Sequence, residues 1–416
     1  MVHGQIARSS SPRAALMTVF LVVLVDLVGF GIILPLLPFF ASQFQAGPAA
    51  IGTLYAVYSF AQLVFSPLWG SLSDRIGRRP VMLISTFGSS LSYVLFVFSH
   101  SFWALFATRL LAGVMGGNIS AAQSYVSDVT TPQDRAKGMG LIGAAFGIGF
   151  ALGPIIASAM LHWAPVWGGW FEKNPYAAPG LAAGTLSFAS FLLVLLKLPE
   201  TVQKGSAPAA PSARRSVFGS AFWKEVFSGR DRHLPVLLGC VVLLSVGQSS
   251  LYSAFPLFCR DVLRLTPAQI GMEFGLMGIV AIFIQGGLIR VLVKRVGENA
   301  LFLVGSILMT AGLAAIPFGG SFGGLTLILA VMSVGGSFNG PAIFSLVSKE
   351  AREGETGATM GLSQSSAGLG RVLGPVWGGA LYSRGYFLPF VLTAALVALT
   401  IPAARFLAKG RGARPA

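Results

Sequence analysis

The chain contains 416 residues, of which 54% are hydrophobic and only 10% are charged. Soluble globular domains carry about 25% charged residues, so this composition excludes an ordinary soluble enzyme. A formal net charge of +15 could suggest nucleic-acid binding, but the placement of the basic residues in alternate loops argues against it.

Apolar stretches long enough to cross a hydrocarbon core, which takes about 20 residues, recur along the whole chain. We predict twelve membrane-spanning helices, near residues 16–40, 51–71, 80–99, 102–127, 138–161, 178–197, 235–258, 267–289, 299–317, 322–346, 357–382 and 386–408. The 52 glycines and 23 prolines would disrupt soluble helices. In a membrane bundle, small residues allow close helix contact and neighbours satisfy freed backbone groups. The predicted fold class is therefore an all-α integral membrane protein.

Lysine and arginine residues concentrate in every second loop of this arrangement, as at Arg75, Arg78 and Arg79. The intervening loops contain only Lys173, Arg260, Arg264 and Arg384. Because cytoplasmic loops carry the excess of positive charge, we predict that both termini lie in the cytoplasm. The pattern fits a bacterial inner membrane and identifies the basic charge as a topology signal.

The two halves of the chain repeat one another at an offset of about 220 residues. The clearest matching run pairs Gly140, Gly147, Gly149, Gly153 and Pro154 with Gly361, Gly368, Gly370, Gly374 and Pro375. We therefore predict a six-helix N-terminal bundle over 1–197 and a six-helix C-terminal bundle over 235–416, joined by a cytoplasmic linker over 198–234. Within the linker, residues 217–228 fit either a helix lying in the membrane surface or an irregular tether.

The segment Gly70-Ser-Leu-Ser-Asp74-Arg75-Ile-Gly77-Arg78-Arg79-Pro80 lies between the second and third predicted spans. It resembles the loop signature of major facilitator superfamily transporters. Within the first span, the segment from Asp26 to Pro38 looks like that of tetracycline-type exporters, and the segment from Arg109 to Gly117 resembles the family's fourth-helix motif. The resemblance covers residues 16–408, is best to twelve-helix drug:proton antiporters, and implies two parallel repeats with a midplane site between them.

Two charged side chains are predicted to lie inside spans of the N-terminal half, where charges are costly and mark proton or cation paths. Asp26 lies near the bilayer centre in the first span, and its repeat counterpart is Leu244. Arg109 lies in the fourth span, opposite Ala330 in the repeat. The resemblance links this arginine to proton transfer, so we predict that Asp26 and Arg109 couple transport to protons. A structural ion pair for Asp26 and a purely structural role for Arg109 are the alternatives.

The loop motif implies a cytoplasmic latch. Its predicted members are Gly70, Asp74, Arg75, Gly77, Arg78 and Arg79. Asp74 could lie against the positive N-terminal end of the eleventh helix, near Thr356, and favour one state of the transporter by about 1 kcal/mol. Residues 294–297 form the matching loop and lack the acid, so the latch would be one-sided. A solvated turn is the alternative.

The fifth span contains the run Gly147-Ile-Gly149-Phe-Ala-Leu-Gly153-Pro154. It resembles a motif of family members that export, and the predicted antiporter motif is Gly149, Gly153 and Pro154. Physically, the glycines allow a neighbouring helix to approach closely, and the proline can bend the span. Packing alone would also explain the pattern, which recurs in the eleventh span.

Other polar side chains within the predicted spans are candidates for a substrate cavity. They are Gln62, Asn118, Gln123, Gln248, Glu273, Gln285, Asn339 and Arg371. They could line a cavity or join helices, and Glu273 could instead reach interfacial water. No phosphate loop, metal cluster or nucleophilic triad stands out, so we expect neither an enzyme nor a cofactor, with the proton gradient as the energy source.

These features predict a secondary transporter that exports small amphipathic, drug-like or tetracycline-like compounds in exchange for protons by alternating access. The expected partners are a small-molecule substrate, protons and membrane lipid, without nucleic acid, and the chain is expected to act as a monomer. One alternative is a proton-coupled symporter or facilitator of a small metabolite. Another is a non-transporting receptor or a lipid-processing enzyme, because a fold alone does not fix a function.

Overall fold

The structure is a computed structural model that describes residues 12–131, 135–201, 233–351 and 356–412. The regular structure of these residues is helical throughout, with short 3-10 and π turns. Twelve long segments are named in chain order: α1 Ala14–Ile33, α2 Pro48–Ile76, α3 Arg78–Val97, α4 Phe102–Val129, α5 Gly138–Trp167, α6 Ala177–Lys197, α7 His233–Asp261, α8 Pro267–Val296, α9 Glu298–Phe318, α10 Phe322–Lys349, α11 Thr356–Tyr382 and α12 Leu388–Ala408.

Each predicted span coincides with one of these segments, and eleven of them are long and apolar enough to cross a membrane. The twelfth, α11, has 27 residues, but its Ser363-Gln364-Ser365-Ser366 run and its glycines lower its hydropathy. Most of the predicted linker, including residues 217–228, lies outside the described residues.

The first predicted span is interrupted before its end. The helix stops at Ile33, and a short second helix follows over Leu37–Ser42. The carbonyl of Leu34 would accept a helical hydrogen bond from residue 38, but Pro38 has no N–H to donate. The Tyr55 hydroxyl of α2 donates to this carbonyl instead, at 2.5 Å. The break in α1 therefore fixes α2 against it.

A second interruption shapes α4, where a 3-10 turn over Gly116–Asn118 separates two α-helical pieces. Two side chains of α2 satisfy carbonyls at this turn: Trp69 Nε1 donates to Val114 at 2.6 Å, and Gln62 Nε2 donates to Gly116 at 3.0 Å. Gln62, predicted to line a cavity or to join helices, therefore joins α2 to α4. Asn118 is the last residue of this turn.

The helices pack as two groups, α1–α6 and α7–α12, that meet mainly where α2 lies on α11 and α5 lies on α8. The two contacts are formed by residues that correspond to each other in the internal repeat. Gly52 of α2 lies against the backbone carbonyl of Pro375, and its counterpart Gly271 of α8 lies against the carbonyl of Pro154. A side chain at either glycine would separate the helices, so these small residues let the two groups close on each other.

The space between the two groups widens along α5 and α8. The two helices touch where Ser158 donates to the Ala268 carbonyl, at 2.7 Å, and again where Gly278 lies on Ala151. Further along, a Cβ at Gly147 or at Gly286 would have no neighbour within 4 Å among the described residues. The two groups diverge towards the end of the bundle that carries both ends of the described chain, here called the terminal end. They are in contact at the other end, which carries the loop after Asp261 and is here called the opposite end.

Candidate functional site

Asp26 lies on α1 and is half-buried. Its Oδ2 accepts a hydrogen bond from Asn118 Nδ2 of α4 at 2.7 Å. Its other oxygen, Oδ1, is buried without a hydrogen-bond partner. Removal from water makes such an oxygen costly unless it carries a proton or meets a cation. The geometry therefore offers a place for a proton on Asp26.

Arg109 lies on α4, with 2% of its surface exposed. In this structure it forms no ion pair with Asp26. The guanidinium packs over the rings of Phe96 at 4.9 Å and Tyr93 at 5.8 Å, measured to their centroids. Its Nε and Nη2 have no hydrogen-bond acceptor. Aromatic faces offset only part of the cost of a buried cation, so Arg109 retains capacity to bind an anion.

Tyr58 of α2 links the charged groups of the site. It lies close enough to Asp26, Arg109 and Arg371 to interact electrostatically with all three. Arg371 lies on α11, in the other helix group, and also interacts with Tyr252 of α7. None of the described carboxylates forms a salt bridge with Arg371. Tyr58 and Tyr252 thus lie near one carboxylate and two arginines that belong to both helix groups.

An aromatic cluster closes this region towards the opposite end. The ring of Phe30 on α1 lies 4.7 Å from Tyr58, 5.6 Å from Phe150 and 6.2 Å from Tyr252, between ring centroids. Tyr252 also lies 6.2 Å from Tyr55. Because Tyr252 belongs to the second helix group and the others to the first, the cluster spans both. It provides the flat apolar surface that amphipathic molecules prefer.

The predicted antiporter motif lies in a helix contact next to this cluster. A Cβ at Gly149 would come 2.5 Å from the Leu27 side chain of α1, and one at Gly153 would come 2.6 Å from the Gly31 backbone. The carbonyl of Pro154 faces Gly271 of α8. The motif therefore packs α5 against α1 within one group and against α8 across the interface.

The predicted latch residues form a network within the first helix group. Arg78 donates through Nη1 to Asp74 at 2.5 Å and through Nε to Asp128 at 3.1 Å. The backbone N–H groups of Arg78 and Arg79 donate to Glu200 at 2.9 and 3.2 Å. Sequence reasoning missed Asp128 and Glu200, because both lie far along the chain in segments that carry no recognised motif.

The remaining latch residues have different surroundings. Gly77 has a φ of +106°, Gly70 lies near Ser120 of α4, and Arg75 is exposed. The predicted contact of Asp74 with the start of α11 falls on the Thr356 side chain, which lies outside the described residues. The latch between the two groups therefore stays a prediction.

The other candidates for the substrate cavity differ in their burial and in their contacts. Asn339, the repeat counterpart of Asn118, is buried and accepts from Ser306 Oγ at 3.4 Å, which joins α9 to α10. Glu273 is buried beside Thr326. Gln248 and Gln285 are exposed, and Gln123 is half-buried. Among the described residues, no group of His, Cys, Asp and Glu side chains is placed to hold a metal ion.

Comparisons with known proteins agree with this architecture. A sequence model of the Major Facilitator Superfamily matches residues 19–375 and 291–415. The class B tetracycline resistance protein of Escherichia coli is 29% identical over 386 residues, covering 90% of this chain and 89% of that protein. Major facilitator superfamily domain-containing protein 10 of Homo sapiens is 30% identical over 405 residues, covering 89% and 88%.

A solved structure extends the agreement to three dimensions. The crystal structure of the human organic anion transporter MFSD10 (TETRAN) superposes with a TM-score of 0.69 at 25% identity, covering 95% of this chain and 100% of that one. Together with the sequence matches, it confirms the predicted all-α membrane architecture.

Proposed function

Because the chain belongs to the major facilitator superfamily, and is therefore a membrane transporter rather than an enzyme, we propose that it exports small amphipathic compounds in exchange for protons. The observation that carries this proposal is the half-satisfied carboxyl of Asp26, held by Asn118 and left with a buried free oxygen. Similarity to tetracycline resistance proteins and the exporter-like motif at Gly149, Gly153 and Pro154 support the direction of transport.

The orientation follows from the basic loops. Arg78 and Arg79 lie at the terminal end of the bundle, together with Lys294, Arg295 and Lys349. We propose that this end faces the cytoplasm of a bacterial inner membrane, by the positive-inside rule. The divergence of α5 and α8 towards this end then corresponds to the inward-open form. No cofactor is required, and a single chain surrounded by lipid contains both halves of the site.

Alternating access provides the cycle. A proton that arrives from outside binds to the free oxygen of Asp26 and neutralises it, and the structure closes at the opposite end around the aromatic cluster. A cytoplasmic compound then enters the cavity between the helix groups and contacts that cluster. Its binding favours release of the proton from Asp26 to the cytoplasm. The loaded, unprotonated protein returns to the outward-open form.

The substrate could be a cation or an anion, and different residues of the site favour each. Cationic compounds would be attracted to an ionised Asp26. Organic anions form the second candidate, because Arg109 and Arg371 have no carboxylate partner among the described residues, and because the similar human protein MFSD10 is an organic anion transporter. A panel of cationic and anionic fluorescent compounds, offered to vesicles that contain the purified protein, separates the two.

The central test uses the same vesicles. Replacing Asp26 by Asn keeps the shape and an oxygen that can accept from Asn118 but removes the ionisable carboxyl, so proton-driven uptake into inverted vesicles should stop while the protein still inserts. Glu172→Gln, at an exposed acid outside the spans, is the control and should transport normally. Full proton-driven transport by Asp26→Asn would remove Asp26 from the mechanism. Proton flux in the same direction as the compound would show that the protein is a symporter and not an antiporter.

A further inference from the structure

A second acid of the membrane region has no place in the cycle above. Glu273 lies in the second turn of α8 with 0% of its surface exposed. Its Oε1 lies 2.8 Å from Thr326 Oγ1 of α10. Its Oε2 is buried without a hydrogen-bond partner.

The hydroxyl of Thr326 indicates which form of this acid is present. Thr326 Oγ1 lies 2.8 Å from Glu273 Oε1 and 2.9 Å from the carbonyl oxygen of Phe322. A hydroxyl has one hydrogen, and neither a carbonyl nor a carboxylate can donate one. If Thr326 donates to Phe322, the contact with Glu273 needs a hydrogen from the acid itself. Two full hydrogen bonds therefore form together only when Glu273 carries a proton and donates it to Thr326, whereas an ionised Glu273 leaves one hydrogen shared between two acceptors.

The surroundings of Glu273 favour the same form. From α7, the titratable neighbour is the buried Cys259, and from α10 it is the uncharged Thr326. The α5 helix presents Ile155 and Ser158 to the other side of α8. Among the described residues, no lysine, arginine or histidine pairs with Glu273. An ionised carboxylate here would be a buried charge without a partner, which is the costliest arrangement in a membrane.

We propose that Glu273 binds a proton in this conformation, with Thr326 as the acceptor of its hydrogen bond, and forms a second proton site in the C-terminal half. In the first half, Leu54 and Leu105 occupy the positions equivalent to Glu273 and Thr326. In the same way, Leu244 of the second half occupies the position equivalent to Asp26. Each half would thus contain one proton-binding acid, at a different place. Its neighbours Gly271 and Gly275 lie on Pro154 and Ile155 of α5, so the site lies on the helix that closes the opposite end.

The inference deepens the proposed function, because a second exchangeable proton would raise the number of protons moved per compound. It is tested without transport, by infrared spectroscopy of the purified full chain, since the C=O stretch of a protonated carboxyl is resolved from that of a carboxylate. At neutral pH we expect a protonated-carboxyl band in the wild type that Glu273→Gln removes. Asp26→Asn should leave this component unchanged. Transfer into D2O should shift the band, and alkaline pH should remove it.

Three outcomes decide the proposal. Loss of the band in Glu273→Gln, together with its exchange and titration in the wild type, supports a proton site. A spectrum that Glu273→Gln leaves unchanged shows that the acid is ionised and overturns the proposal. A band that neither exchanges in D2O nor titrates shows a permanently protonated structural acid, which also overturns it.

Thr326→Val keeps the side-chain volume but removes the acceptor. It should move the band to the position of a carboxyl without a hydrogen bond, so the proposal remains testable if Glu273→Gln fails to fold. None of these results depends on Asp26. The proposed export can fail while the second proton site stands, and the reverse also holds.

Discussion

Asn118 Nδ2 lies 2.7 Å from Asp26 Oδ2 and joins the 3-10 turn of α4 to the middle of α1. This hydrogen bond stabilises the ionised form of the carboxyl in particular, because a carboxylate is a stronger acceptor than a protonated carboxyl. In the proposed cycle, this hydrogen bond would therefore oppose protonation of Asp26.

Replacing Asn118 by Ala should slow proton-driven transport by roughly 10- to 150-fold, because a hydrogen bond to a charged group contributes about 1.5–3 kcal/mol. The matched control is Asn339→Ala at the repeat counterpart, which contacts Ser306 and Met309 but no acid. That variant should unfold more easily yet transport at close to the wild-type rate. The measurement is the initial rate of proton-driven uptake per inserted protein in vesicles. Equal slowing by the two variants would contradict a coupling role for Asn118.

The fold was largely predictable because its signals are local. Runs of apolar residues and basic loops are read along the chain, and the predicted spans fall on the observed helices. The exceptions are also local: Pro38 removes the N–H that Leu34 would need, and the glycines before Asn118 favour a tighter turn. Sequence alone did not show that Tyr55, Gln62 and Trp69 would satisfy the freed carbonyls, because those contacts depend on how α2 lies against its neighbours.

The site was less predictable, since it depends on which side chains meet. Asp26 and Arg109 stood out because charges inside spans are rare. Their partners did not: Asn118 was one of several polar candidates, and the contact of Thr326 with Glu273 joins residues 53 positions apart. The network around Arg78 was missed for the same reason, because Glu200 lies 122 positions away.

The contact between Gly278 of α8 and Ala151 of α5 predicts how the opposite end closes. A Cβ at Gly278 would overlap the backbone of Ala151, whereas a Cβ at Gly286 of the same segment would meet nothing within 4 Å. Gly278→Ala should disfavour the closed form, because overpacking costs about 1–3 kcal/mol, while Gly286→Ala should not.

The closed form can be followed at Ser42, which accepts a hydrogen bond from Arg260 of the second helix group at 2.5 Å. In a variant without Cys240 and Cys259, a cysteine introduced in place of Ser42 should react with a maleimide more slowly when that end is closed. We expect Gly278→Ala to raise the labelling rate of detergent-purified protein about fivefold or more, as a 1 kcal/mol shift in the equilibrium requires. Unchanged labelling would show that the two helices tolerate the extra methyl group without opening.

The equivalent glycines Gly77 and Gly297 allow the energetic cost of backbone strain to be separated from the cost of losing one specific contact. Gly77 has a φ of +106° and Gly297 a φ of +82°, so alanine at either position is strained by about 1–3 kcal/mol. Only at Gly77 would the added Cβ also meet a side chain, the carboxylate of Glu200. That carboxylate accepts hydrogen bonds from the backbone of Arg78 and Arg79. Gly77→Ala should therefore lower the free energy of unfolding by roughly 2 kcal/mol more than Gly297→Ala does.

A double-mutant cycle in detergent isolates this difference. Once Glu200 is replaced by Ala, its carboxylate can no longer be displaced, so Gly77→Ala should then destabilise the protein only as much as Gly297→Ala does in the same background. In the wild-type background, Gly77→Ala should destabilise the protein more than Gly297→Ala does. If the two glycine variants are equally unstable in both backgrounds, the hydrogen bonds from Arg78 and Arg79 to Glu200 contribute nothing to the stability of the loop between α2 and α3.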